Sequence, residues 1–242
     1  MTNQIGKPSS KEAKLKDNHN KLNNELKNMS SGDFIRWAAK KYETGLYALS
    51  SFGTDSSVMF ELLKQAGVKV PIITIDTGFL FEETNQYKQA MIAKYDLEVI
   101  TFGPTNEVID YVKKEKLWES HPELYNYFVK VEPLQRELKN KKIKALMSGI
   151  RHDQTETRKH KQRVSIGSEG EVRLHPILDW SKKDVEKYIK DNNLVRHPLF
   201  HKGYASVGDW TTTQKGSTRK QSRSMLGAKM ECGIHVDTKH PE

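Results

Sequence analysis

The sequence predicts an α/β domain built on a mostly parallel, twisted sheet flanked by helices. Two observations predict it. Short apolar runs rich in β-branched residues alternate along the chain with amphipathic stretches of helical spacing. The first of those runs also passes through a tight, hydroxyl-rich turn directly into a helix, in the segment Tyr47-Ala48-Leu49-Ser50-Ser51-Phe52-Gly53-Thr54-Asp55-Ser56-Ser57. Strands separated by helices imply right-handed crossovers and therefore parallel pairing.

Residues 1–30 are polar and rich in Lys and Asn, with weak helical spacing at Leu15, Leu22 and Leu26, and read as a loosely docked arm without chemistry. Ser31-Gly32-Asp33 is expected to cap a short helix whose Phe34, Ile35, Trp37 and Ala38 share one face. Gly45 to Ser50 is the first strand, and Ser56 to Gln65 a helix ended by Gly67. Pro71 to Asp76 is the second strand; Glu82 to Tyr95 follows as a helix with Tyr87, Ala90, Met91 and Tyr95 at helical spacing. Leu97 to Phe102 is the third strand, and beyond Gly103-Pro104 the chain reads as mostly helical to Asn140. Lys144 to Ser148 is a further strand running into Gly149-Ile150-Arg151, and Val172 to Leu178 is extended. Ser181 to Asp184 caps a helix with Val185, Tyr188 and Ile189 turned inward. From Asn193 the chain turns irregular, and 211–230 has so few apolar residues that it should bury little and be mobile. The expected division is an arm over 1–30, the α/β domain over 31–210 and a tail over 211–242.

Length and composition narrow the classes. A chain of 242 residues suffices for one large domain with a proper core. No apolar run approaches the roughly 20 residues of a membrane helix, and the first residues lack the apolar stretch of a secretion signal. One cysteine permits no internal disulfide, which fits a reducing cytoplasm. The net charge of +9 invites a nucleic-acid reading, yet it is spread over the N-terminal lysines, Lys139 to Arg163 and the tail rather than gathered into one stripe. Compact anionic substrates attract basic sites as well.

Strand, loop and helix N-terminus in that order make an anion site, because the first helical N–H groups have no intrahelical acceptor and the helix dipole adds positive charge there. Gly53 would let the backbone approach a ligand closely, and the hydroxyls of the Ser51 loop can donate to phosphate or sulfate oxygens. A Walker A loop is excluded, since no Gly-Lys-Ser/Thr follows Gly53; an ordinary capped turn is the plainer alternative. In a parallel sheet, ligands gather beyond the carboxyl ends of the strands. Three segments converge there: the Ser51 loop, Asp76-Thr77-Gly78 and Gly149-Ile150-Arg151. Arg151 and Arg158 flank a polar stretch, and arginine forks suit phosphate and sulfate oxygens. The lone cysteine, Cys232, stands in Glu231-Cys232-Gly233-Ile234-His235, where His235 and Lys229 would favour the thiolate. An adduct on a single cysteine has no second thiol in the chain to resolve it, so the reductant must come from outside. One Cys and one His make only half a zinc site, so no metal is expected.

Ser51-Phe52-Gly53-Thr54-Asp55-Ser56 resembles the Ser-Gly-Gly-x-Asp-Ser loop of the ATP-pyrophosphatase superfamily, with Phe52 in place of the first glycine. From about Phe34 onward the chain resembles the thioredoxin-dependent phosphoadenylyl-sulfate (PAPS) reductases, on Ser50 to Gly53, Asp76 to Thr84, Lys130-Val131-Glu132-Pro133-Leu134, Gly149-Ile150-Arg151, Pro176 to Trp180, Ser206-Val207-Gly208-Asp209 and Glu231 to His235. The resemblance implies a Rossmann-like fold of the adenine nucleotide alpha-hydrolase type. The related APS reductases hold an iron–sulfur cluster on cysteines at the places that are here Tyr125-Asn126 and Asp209 with Thr212. With one cysteine a four-thiolate cluster cannot form, so the resemblance points to the cluster-free branch, with no bound cofactor. It implies that Cys232 attacks the sulfonate sulfur of PAPS, that adenosine 3′,5′-bisphosphate leaves, and that thioredoxin or glutaredoxin releases sulfite from the S-sulfonate. His235 would assist Cys232. Ser50, Ser51, Gly53, Asp55, Ser56, Asp76, Thr77, Gly78, Lys130, Arg151, Arg158, Arg219 and Arg223 would surround the nucleotide and its anionic groups. A homodimer in the cytoplasm, engaging neither membrane nor nucleic acid, is implied too. Asp55-Ser56 keeps the pyrophosphatase-like pair, so an adenylating enzyme that needs ATP and magnesium is the alternative, and a basic nucleic-acid-binding protein a more distant one.

Overall fold

The computed structural model describes residues 20–141 and 143–223. Six strands form one sheet: β1 (Leu46–Leu49), β2 (Ile72–Ile75), β3 (Val99–Phe102), β4 (Ala145–Ser148), β5 (Val164–Ile166) and β6 (Val172–Leu174), in the order β3-β2-β1-β4-β6-β5. Pairing is parallel throughout except at the edge, where β5 runs antiparallel to β6 with Val164 opposite Leu174. Ala48 pairs with Ile72 and Leu46 with Ala145, so β1 has β2 on one side and β4 on the other. The order of the strands reverses there, and the carboxyl ends of β1 and β4 open a crevice.

The helices lie where the apolar patterns require. Helix α1 (Ser31–Tyr42), α2 (Ser57–Gln65), α3 (Glu82–Tyr95) and a later helix over Lys182–Asp191 cover one face, through Phe34, Ile35, Val58, Phe60, Tyr87, Met91, Val185 and Ile189. The other face of the sheet is covered by a helix over Glu132–Asn140, whose Leu134 and Leu138 meet Ile73, Ile75, Phe102 and Leu146. Covered on both sides, β2 and β4 are buried at every position, which is why they read as continuous apolar runs. Helix α2 ends as expected: Gly67 takes φ 68°, with Gly67 N bonded to Lys64 O and Val68 N to Leu63 O. Ser181 and Asp184 form the expected capping box.

Several boundaries differ from the sequence reading. The N-cap of α1 is Ser30, which accepts from Asp33 N, while the Ser31 hydroxyl donates instead to Pro176 O at 2.9 Å. The long helical region divides into Asn106–Lys114, Leu117–Ser120, Pro122–Asn126, a π-helical turn over Tyr127–Val131, and Glu132–Asn140. Of Val172 to Leu178 only Val172–Leu174 pairs, and its hairpin partner β5 carries too little pattern in three residues to be read. The polar ends also pack. Residues 20–26 are helical, Leu26 is buried, and Asn23 exchanges hydrogen bonds with the backbone of Val164. Residues 211–223, expected to bury little, place Thr211, Thr212, Thr213, Ser222 and Arg223 in the interior, so the described part of the expected tail is built into the domain. The hydroxyls of Thr211, Thr213 and Ser222 find internal partners, which lets a polar segment be buried where an apolar count predicts exposure.

Candidate active site

A cavity of about 800 Å³ opens at the carboxyl ends of β1, β2 and β4. Its first wall is the loop after β1. Ser50 N is bonded to Ile73 O, which continues the sheet, and the Ser50 hydroxyl accepts from Phe52 N at 3.1 Å. Phe52 then turns through φ 49°, the left-handed region, with its ring buried against Phe60 at a centroid distance of 5.3 Å. The Ser56 hydroxyl donates to Gly53 O at 2.9 Å and closes the loop on itself. Ser50, Ser51, Gly53, Asp55 and Ser56 all line the cavity, as read from the sequence. A Cβ at Gly53 would meet protein atoms no closer than 3.6 Å, and the left-handed residue of the loop is Phe52.

Asp55 faces two arginines. Its carboxylate lies 3.2 Å from Arg151 Nη1 and 3.8 Å from Arg196 Nη2, and Arg151 Nε donates to Asp153 at 3.0 Å. Asp55 therefore sets arginine geometry and does not itself offer an anion any attraction. Arg196 was not anticipated. It is nearly buried, stacks over Phe200 at 4.0 Å and lies 2.8 Å from Glu186, with no motif around it in the sequence to single it out.

The segment after β2 divides by residue. Thr77 lines the cavity, whereas Asp76 and Gly78 do not. Asp76 accepts from Gly78 N at 3.0 Å, and Gly78 takes φ 77°, so these two build the turn that presents Thr77. Thr77 in turn donates to Asp209 at 2.7 Å. Lys130, on the π-helical turn, pairs with the same carboxylate at 2.5 Å, and Tyr125 donates to it at 2.8 Å. Burial alone would raise Asp209, but the Lys130 charge and the bonds from Lys130, Thr77 and Tyr125 outweigh it and hold the carboxyl below its usual range. Burial pushes the Tyr125 phenol up, and the neighbouring Asp209 charge adds to the rise. Tyr125 and Asp209, far apart in sequence, are thus hydrogen-bonded neighbours.

After β4, Ser148 meets the buried ring of His175 at 3.0 Å. Burial, reinforced by Lys161, Arg173 and Arg158, lowers His175 to about 3, so it is neutral. Arg158, also buried, is held by Gln154, whose carbonyl oxygen also accepts from Arg151 N. The last wall is 203–223. Arg219 donates to Ser206 at 3.0 Å. Arg223 is 4 % exposed and donates to Thr213 at 3.0 Å, while its Nε has no partner among the described residues. A Cβ at Gly208 would overlap the Arg223 guanidinium, so this glycine makes the seat for that side chain.

Lys130, Arg151, Arg158, Arg219 and Arg223 all line the cavity as expected. Lys182 and Lys220 join them, making seven cations against four carboxylates among the described residues, the latter being Asp55, Asp153, Glu186 and Asp209. A crevice of net positive charge walled by planar guanidinium groups suits a compact polyanion of nucleotide size. Cys232 and His235 lie outside the described residues.

The chain matches the phosphoadenosine phosphosulfate reductase domain family over residues 45–215. It is 36% identical over 224 residues to the phosphoadenosine 5′-phosphosulfate reductase of Vibrio vulnificus strain YJ016, covering 89% of this chain and 86% of that protein. To the protein of the same name from Buchnera aphidicola subsp. Acyrthosiphon pisum strain 5A it is 37% identical, covering 88% and 90%. The crystal structure of phosphoadenylyl-sulfate reductase from Candida auris, a phosphate complex, superposes with a TM-score of 0.70 at 29% identity, over 81% of this chain and 95% of that one. FMN adenylyltransferase of Candida glabrata shares the fold alone, with a TM-score of 0.53 at 15% identity over 86% of this chain and 66% of that one.

Proposed function

The chain belongs to the phosphoadenosine phosphosulfate reductase family, oxidoreductases of sulfate assimilation, and from that membership we propose that it reduces PAPS to sulfite through a covalent adduct on Cys232. One observation carries the reading: buried arginines from two separate walls, Arg151 and Arg158 after β4 and Arg223 in 203–223, line one cavity at the reversal point of the sheet. The nucleotide would lie across the carboxyl ends of β1 and β4, its anionic groups met by the Ser51 loop, Lys130 and these arginines. The Cys232 thiolate would attack the sulfonate sulfur. A sulfur–sulfur bond forms, the bond from sulfur to the phosphate oxygen breaks, and adenosine 3′,5′-bisphosphate leaves with the electron pair. The surrounding cations favour that departure, because the charge on the leaving oxygen develops beside fixed positive groups. A thiolate of reduced thioredoxin, or of glutaredoxin, then attacks Cys232 sulfur and sulfite departs with its electron pair. The donor's second thiol resolves the mixed disulfide and restores Cys232. An external dithiol is needed because the chain has one cysteine, which also precludes a four-thiolate cluster within it. His235 is assigned to assist at Cys232. A cytoplasmic homodimer is part of the proposal.

Two alternatives are less well supported. An adenylating enzyme would use Asp55 and magnesium, but Asp55 faces Arg151 and Arg196. A nucleic-acid binder would place its cations on an exposed stripe, whereas Lys130, Arg151, Arg158 and Arg223 are buried around a cavity. Intact-mass spectrometry of the reduced protein with PAPS tests the reading. The expected result is a gain of about 80 Da, one sulfonate group, that is absent in Cys232→Ser and disappears when reduced thioredoxin is added. Nucleotide binding without adduct or sulfite would overturn it.

A further inference from the structure

Asp209 is only 1% exposed, and both of its carboxylate oxygens are occupied: Oδ1 by the Thr77 hydroxyl at 2.7 Å, Oδ2 by Tyr125 at 2.8 Å and Lys130 Nζ at 2.5 Å. Its backbone is fixed as well. Asp209 forms an antiparallel bridge with Leu80, and Trp210 N donates to Phe79 O at 2.9 Å. Tyr125 is held on its other side by Thr211, hydroxyl to hydroxyl at 2.8 Å. The partners therefore come from the turn after β2, the helix over Pro122–Asn126, the π-helical turn and the segment that carries Asp209 itself. Three pieces of chain converge on a carboxylate carried by a fourth.

What this frame holds is Lys130. Its ammonium has three N–H bonds. One goes to Asp209 and one to Asn126 Oδ1 at 3.2 Å, while the residue lines the cavity. A buried ion pair is a poor device for stability alone, since apolar groups of the same volume serve about as well. It is a good device for fixing where a charge sits. A flexible four-carbon side chain loses its freedom once its head group is bound to a rigid acceptor.

We propose that Asp209 is a positioning residue of the reductase reaction: it fixes the Lys130 ammonium at the cavity wall, so that the remaining N–H meets the anionic group of PAPS that carries the transferred sulfur. The inference rests on the PAPS reading above. Among the described residues, the Lys130 charge acts on Asp209 and the Arg223 charge on Tyr125, whose phenol is itself pushed up; the other groups in contact, Thr77 and Thr211, do not titrate.

The test is steady-state sulfite formation from PAPS with reduced thioredoxin, from pH 2.5 to 9, in wild type, Asp209→Asn, Lys130→Met, their double variant and Thr77→Val. Asp209→Asn is expected to lower kcat by about 100-fold, the scale of a misplaced group, with KM for PAPS nearly unchanged. The double variant should be no slower than Lys130→Met, because Asp209 acts only through that side chain. Thr77→Val tests the charge without removing it. Asp209 is held low, so the pair is intact above its pKa and is lost as pH falls through it. Removing the Thr77 donor raises that pKa, and the acid limb of kcat should move to higher pH. A wild-type kcat in Asp209→Asn, or multiplying losses in the double variant, would overturn the proposal. If Asp209→Asn does not fold, an unmoved acid limb in Thr77→Val overturns it. A wild type that makes no sulfite from PAPS brings down the reductase reading first and this inference with it.

Discussion

Phe52 stands at φ 49° in a loop whose pattern elsewhere favours glycine, and its ring is 1% exposed beside Phe60. A left-handed residue with a side chain costs on the order of 1–2 kcal/mol, and burying an aromatic ring offsets that amount or more. The side chain that departs from the pattern thus anchors the loop to the core. Such a compensation cannot be read in advance, because it depends on a neighbour eight positions away that faces the same pocket. Gly208 matters sterically at the site, because its missing Cβ leaves room for Arg223. Gly208→Ala should displace that guanidinium and weaken binding of adenosine 3′,5′-bisphosphate about tenfold or more, the equivalent of one charge-assisted hydrogen bond. Isothermal titration calorimetry reads the loss, and circular dichroism should show an unchanged fold. Residues whose role lies in their own chemistry, such as Arg151, Arg158 and Thr77, were legible in the sequence. Arg196 was not, since its position depends on Asp55, Glu186 and Phe200 meeting in three dimensions.

Among the elements, the amphipathic helices and apolar strands were legible because period and length agree, as in Lys182–Asp191 and Ile72–Ile75. The segments that escaped are stabilised by tertiary hydrogen bonds and carry no period. Residues 20–30 show this. Arg163 Nη1 donates to Leu26 O and Met29 O, both at 2.8 Å, its Nη2 to Pro176 O at 3.0 Å, and the guanidinium stacks over Phe34 at 4.4 Å. One planar fork thereby satisfies the carbonyls left open at the end of the 20–26 helix and ties them to the domain. Arg163→Ala should lower stability by about 2–4 kcal/mol, as buried carbonyls lose a charged donor. Chemical denaturation measures that loss, and limited proteolysis should find new cleavage near residues 20–30. Arg163→Lys should rescue little, because an ammonium cannot reach acceptors spread along a fork.

For the molecule as a whole, the parallel topology gives the site its character. The cavity walls come from the ends of β1 and β4 and from 203–223, segments separated by up to about two-thirds of the chain, so no local unit can form the site. A ligand that bridges those walls stabilises the entire domain. Adenosine 3′,5′-bisphosphate at 100 times its Kd should add about 2.7 kcal/mol, which raises Tm by about 5–10 °C for a domain of this size. Differential scanning fluorimetry measures it, and a larger shift with ATP and magnesium would favour the adenylating alternative. The fold class was legible because it follows from alternation alone, whereas the inclusion of 211–223 was hidden by its composition. That inclusion also sets a leash. Arg223 is seated in the cavity wall, and Cys232 follows it by nine residues. Nine residues span at most about 30 Å, which confines the thiol near a bound nucleotide at an effective concentration on the order of millimolar. On the proposed mechanism, sulfur transfer within the loaded protein would be a first-order event, as fast in dilute solution as in concentrated.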